Sequence, residues 1–219
     1  TTDSLTVTAG TLQVNGQALV VSGGPTKNGG TFTGGSANIT VVGDVNISSG
    51  AFTSTSGILY VGGAWSSAAS TFTHNSGTVV FESGTSGSKN ITTNSNVFYN
   101  VTWNGSGSTW TLQDNFTQNV TNGATVLTAG TLNLNTRIYA GNTNWSQNLS
   151  IGNGFTLNIG TGTMDLTWTA LTVGTGATVT VSSGNLYTRF VTVSGTGTFT
   201  CTGAATISSL SGLSISSSN

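Results

Sequence analysis

Charge is what this chain has least of. Of its 219 residues only 4 are Lys or Arg and 5 are Asp or Glu, a charged fraction of 4%, against roughly 25% in ordinary soluble domains. The formal net charge of −1 leaves no electrostatic basis for gripping nucleic acid or an anionic membrane. Cys201 stands alone and cannot close a disulfide within the chain. One proline and one histidine supply neither a Pro-rich linker nor a Cys/His metal cluster. No apolar run approaches the roughly 18 residues that a membrane span needs. Apolar residues at helical spacing are missing as well. The chain opens at Thr1 without Met, as expected of a processed secreted product or a fragment. Low charge and this opening point to an extracellular or cell-surface location.

Thr, Ser, Asn and Gly fill the space, with 43, 29, 22 and 32 residues, more than half of the chain. Polarity without charge can accompany disorder, but disordered chains are poor in aromatic and β-branched residues. Here five Trp and nine Phe alternate with Thr, Ser and Asn beside many Val, Ile and Leu. The chain reads as folded.

Residues 125–135, T-V-L-T-A-G-T-L-N-L-N, carry the pattern most clearly, and residues 7–15, V-T-A-G-T-L-Q-V-N, repeat it 120 positions earlier. Leu132 and Leu134 share one face while Thr131, Asn133 and Asn135 take the other, the period of a half-buried strand. The central Gly marks a bend, and Asn15-Gly16 and Asn122-Gly123 mark turns. Short strands of this kind run the full length, through Ile39 and Val41, Val79 and Phe81, Val101 and Trp103, Leu157 and Ile159, and Val179 and Val181. Residues 23–30, dense in Gly and holding the proline, read as an exposed loop.

Two architectures suit many short strands separated by Gly-bearing turns: a β-solenoid and a β-sandwich. T-F-T at residues 31–33 and 71–73 lies 40 positions apart, and 120 is three times 40, or six coils of about 20. The solenoid is therefore expected, as one elongated repetitive β domain over residues 1–219.

In order, G-T-V-V-F at Gly77, Y-N-V-T-W-N at Tyr99, W-T-L at Trp110 and T-A-G-T-L-N-L-N at Thr128 resemble the tandem Thr/Gly/Asn-rich β-repeats of large secreted bacterial and archaeal surface proteins. The resemblance is strong over about a third of the chain and looser elsewhere. It implies an extracellular structural or adhesive role, and it brings no catalytic motif.

Residue by residue, chemistry is scarce. His74, in T-H-N-S-G, reads as a turn histidine without metal-binding partners. Asp3, Asp44, Glu82, Asp114 and Asp165 are scattered; stacking could bring Asp44 and Glu82 within about 10 Å, near the span that paired-carboxylate glycoside chemistry uses. Nothing else converges on them, and Gly43-Asp44 and Gln113-Asp114-Asn115 are ordinary turn sequences, so no catalytic residue, cofactor or metal site is expected and the chain is read as a non-enzyme.

T-x-T pairs at Thr31/Thr33, Thr71/Thr73, Thr109/Thr111, Thr167/Thr169 and Thr178/Thr180 resemble the stacked threonines of ice-binding solenoids. Their spacing along the chain is irregular, however, and Thr is a common outward strand residue. Nine N-glycosylation sequons begin at Asn38, Asn46, Asn90, Asn100, Asn104, Asn115, Asn119, Asn144 and Asn148, a count that composition alone nearly accounts for. Trp103 and Trp168 follow the inward alternation. Trp65 and Trp145 adjoin polar turns and are the better candidates for a binding or assembly surface. Cys201, alternating with Phe199, reads as a buried small hydrophobe, with an intersubunit disulfide as the alternative.

A near-neutral repetitive β-rod that associates with itself is the function this composition favours: a subunit of an extracellular filament, sheath or surface layer. The partner is another copy, joined head-to-tail by β-strand addition, with Leu5 and Val7 entering the neighbour's core. An adhesin stalk or glycan-binding module is the alternative, and an ice-binding protein a more distant one.

Overall fold

A computed structural model describes residues 1–67, 71–84, 87–119, 122–141 and 148–216. The chain winds as a β-solenoid of about nine turns, and the described residues contain no helix. In the first coil, strand Leu5–Val7 leads to Thr11–Gln13 and then Leu19–Val21 before the next coil begins. These three strands found three faces. On each face, every described pairing is parallel: Leu5 lies beside Pro25, Thr11 beside Thr31 and Leu19 beside Ile39, each twenty positions on.

Alternation decides what fills the interior. Val41 stacks on Val61, Val61 on Phe81 and Phe81 on Trp103 on the third face. Leu132, Leu157 and Val179 do so on the first. All of these are buried and belong to one continuous apolar cluster. Leu132 is buried and Asn133 half-exposed, as their opposite phases require.

Corners use residues that tolerate left-handed backbone. Asn15-Gly16, Asn75-Ser76 and Asn94-Ser95 have positive φ at both positions, from 50° to 74°, the geometry of a type I′ turn. Between the third face and the next coil, glycines stack directly on one another. A Cβ on Gly62 would meet the Val42 carbonyl oxygen at 2.2 Å and the Gly84 Cα at 2.8 Å, so no side chain fits.

Two expectations are corrected. Residues 23–30 are not simply a loop: Pro25–Thr33 is a strand pairing with the coils before and after it. Its proline stands first, where a missing N–H is tolerated, and its glycines let the backbone bend within the strand. The second concerns the 120-residue repeat. Coils grow from twenty residues to twenty-six between Trp65 and Ile91 and twenty-four between Val101 and Thr125, returning to twenty between Thr178 and Thr198. Leu12 therefore lies on the second face and Leu132 on the first. The repeated phrase encodes a corner, with Gly10 and Gly130 at positive φ before it and Asn15 and Asn135 after it. T-F-T at 31–33 and 71–73 does recur on one face, two coils apart.

Candidate functional site

The tryptophans line the core. Trp65 is 1% exposed, its indole N–H donating to Ser67 Oγ at 3.1 Å. This corrects the expectation of a surface residue: the adjoining turn bends away while Trp65 itself keeps the inward phase beside Val45 and Ile91. Trp103 and Trp110 are buried too, whereas Trp168 sits half-buried in a turn and not in the core stack. Trp145 lies outside the described residues.

On the second face the rings form an axial stack. Phe32, Phe52, Phe72, Phe98, Phe116 and Tyr139 follow one another with centroids 4.6, 6.1, 5.0, 4.8 and 4.9 Å apart. Offset or tilted aromatic pairs add about 0.5–1.5 kcal/mol each beyond area burial. The stack therefore adds to the cohesion between successive coils.

Among the buried polar residues, Lys89 and Gln118 each centre a cluster within this interior. Lys89, 4% exposed, takes an inward position beside Trp110. Its ammonium donates to Ser108 Oγ at 2.7 Å and the Glu82 carbonyl at 3.2 Å and lies 5.7 Å from the Trp110 ring centroid. Burial lowers its pKa, and the negative charges of Asp44 and Glu82 oppose that shift. Deeper in the stack, Gln118 donates its amide N–H to the Tyr99 carbonyl at 2.9 Å. Its amide oxygen accepts the Thr125 hydroxyl. Thr125 has then no hydrogen left, so the Tyr139 hydroxyl, 3.1 Å away, is the donor to it. Burial pushes the Tyr139 phenol up to about 12, with the hydrogen bond to Thr125 pulling the other way. Lys89 and Gln118 find partners within these clusters, whereas the buried indole N–H groups of Trp103 and Trp110 beside them have none among the described residues. Neither composition nor spacing marked them, because Lys89 and Gln118 stand where the alternation calls for apolar residues.

Asp44 and Asp114 bridge neighbouring coils, and Asp165 caps a turn within its own. Asp44 accepts the Ala64 N–H at 2.7 Å, Asp114 accepts those of Thr93 and Asn94, and Asp165 accepts the Thr167 hydroxyl at 2.6 Å. Asp44 and Glu82 share the neighbourhood of Lys89. His74, half-buried at a turn, accepts the Ser76 N–H at 2.8 Å and stacks on Tyr99; burial lowers its pKa.

Several sequon asparagines do the same work. Asn38, Asn100 and Asn115 accept backbone N–H groups of Ile58, Ala124 and Ile138 in the next coil. Asn119 accepts the Asn122 N–H, Asn90 accepts from Gln113 and Asn148 from Arg189. Asn46 and Asn104 stand exposed on strands Val45–Thr53 and Asn100–Leu112. Asn144 lies outside the described residues.

At the first coil, Leu5 is half-buried and Val7 buried, both inward on the first face. Leu5, Leu19, Val21, Phe32, Ile39, Val41 and Phe52 line an apolar hollow there. Cys201 is exposed, contrary to the buried reading. Its inward phase beside Val181 is as expected, but the coil that holds it has no further strand stacked over it on this face among the described residues, so inward is not covered.

Outward on the first face, six successive strands present Ser88 and Asn90, Thr109 and Thr111, Thr131 and Asn133, Thr156 and Asn158, Thr178 and Thr180, and Thr198 and Thr200. Each pair lies in register with the next. The T-x-T pairs at 109 and 178 thus belong to one array despite their uneven spacing along the chain, since the variable turns absorb the difference. Thr31/Thr33 and Thr71/Thr73 stack on the second face instead, and Thr169 is buried.

No helix among the described residues is long and apolar enough to cross a membrane, and no group of three or more potential metal ligands occurs among them. No protein family, curated protein or solved structure matches the chain.

Proposed function

We propose that this protein is a structural building block of an extracellular filament, sheath or surface layer. The observation that carries the reading is the succession of parallel-paired coils around an aromatic row, with Lys89 and Gln118 held by hydrogen bonds inside it. Such a rod resists bending and presents little besides flat, nearly uncharged faces. Near-neutral surfaces associate readily, and a solenoid coil accepts another coil in the same way whichever polypeptide supplies it.

Assembly runs head-to-tail. Leu5 and Val7 of one copy stack on the coil of another that carries Phe199 and Cys201, prolonging the first face by β-strand addition. The coils at the two ends are of similar perimeter, twenty residues from Leu5 to Pro25 and twenty to twenty-two in the spans Thr178 to Thr198 and Val191 to Leu213. The glycan-binding alternative has lost its main anchor, because Trp65 is in the core.

Electron microscopy of the purified chain tests the proposal. Ordered filaments or sheets of solenoid width are the expected result. A chain that stays monomeric at high concentration over a range of pH and salt would refute self-assembly.

A further inference from the structure

We infer that the outward array on the first face is a site for an ordered water lattice, that is, for the surface of ice. The array is two residues wide and six coils long, from Ser88 and Asn90 to Thr198 and Thr200, with no break in register between the paired positions. Neighbouring coils are about 4.8 Å apart and alternate residues along a strand about 6.6 Å apart. Those two repeats are close to oxygen repeats on prism faces of ice.

The side chains suit that occupant. Thr has a restricted χ1, which limits the directions its hydroxyl and methyl can take from coil to coil. Asn158 donates to Asn133 at 2.7 Å and Gln113 to Asn90 at 3.0 Å, which ties the amide rungs to one another. The twelve array positions hold only Ser, Thr and Asn, and Lys89, which shares a strand with the first pair, points inward.

Other occupants fit less well. Protein interfaces draw most of their energy from Trp, Tyr and Arg anchors, and glycan sites stack sugars on aromatic rings; the array offers neither. Sealing its hydroxyls against a dry surface leaves them short of partners, which costs free energy. A water lattice supplies a partner to each. The second face, by contrast, stacks threonines only over its first coils and then mixes exposed Val97, Ile138 and Tyr187 with Asp165. The T-x-T pairs at 109 and 178 are unevenly spaced from the rest of the array because coil length varies, and those at 31 and 71 belong to another face.

The inference does not depend on self-assembly, and its test is separate. Purified chain is mixed with ice, and crystal shape, freezing hysteresis and recrystallisation are followed. The expected result is faceted crystals and arrested recrystallisation. The double variant Thr156→Tyr/Thr178→Tyr, which roughens the centre of the array, should lose both effects. Thr172→Tyr, outward on the third face between Ser150 and Thr192, should keep them. Should the tyrosines disturb folding by circular dichroism, Thr156→Val/Thr178→Val removes the hydroxyls at constant shape and is expected to weaken both effects. Absence of ice shaping by the unaltered chain overturns the inference. So does full activity in a folded double variant, or loss of filaments alone in that variant, which would make the face a contact between copies.

Discussion

Leu132 and Asn133 are neighbours in sequence and opposites in environment. Leu132 is fully buried between Trp110 and Leu157, while Asn133 accepts the Asn158 amide at the surface. Leu132→Asp should cost on the order of 3–5 kcal/mol, the penalty of an uncompensated buried charge. Asn133→Asp keeps the acceptor and should stay within about 0.5 kcal/mol. Denaturant melts of the two variants measure the difference, and equal stability would refute the strand phase. Tyr139 makes a second residue-level prediction. Its phenol rises from 10.0 to about 12 in the folded chain, so the unfolded chain gives up that proton first. Stability is fully present below pH 10 and is lost as pH rises through 12, by about 3 kcal/mol at roughly 1.4 kcal/mol per pH unit. Tyr139→Phe should cost about 1 kcal/mol at neutral pH through the lost hydrogen bond and flatten the alkaline decline. An unchanged decline in the variant would place its cause elsewhere.

At the level of the element, turns carry the constraint. Gly62 has carbonyl and Cα neighbours where a methyl would lie, and neither is the end of a flexible side chain. Gly62→Ala should destabilise by several kcal/mol or force the turn to move, as overpacking does. Gly10, at φ 72° with no atom within 4 Å of an added Cβ, has only its backbone preference to lose. Gly10→Asn should cost less than about 1 kcal/mol, because Asn tolerates the left-handed region. Thermal unfolding of both variants decides it. If they melt alike, stacked glycines are not what sets the distance between coils.

For the whole molecule, the scarcity of charge sets the response to solvent. Assembly should depend only weakly on ionic strength, since few ion pairs exist to be screened. Light scattering between about 0.05 and 1 M salt should change little; assemblies dissolving at high salt would point to electrostatic association. Deleting residues 1–8 removes Leu5 and Val7 and uncovers strand Pro25–Thr33. The rest should remain β-rich by circular dichroism yet fail to elongate. Filaments of normal length from the truncated chain would move the contact to the flat faces, the array at Thr156 and Thr178 included.

Alternation of apolar and polar residues is a local property, so the sequence by itself determined strand phase, the absence of helix among the described residues, the inward placement of Leu132 and Trp103 and the solenoid class. Burial and alignment are not local. Trp65 and Cys201 share the inward phase, yet one is enclosed by coils on both sides and the other is exposed; only stacking distinguishes them. Lys89, Gln118 and Tyr139 drew no notice along the chain because their hydrogen-bond partners lie up to a full coil away. The same holds for the array on the first face. Coils of twenty to twenty-six residues scatter its threonines unevenly in sequence, and parallel backbone pairing, which counts hydrogen bonds rather than residues, brings them back into line.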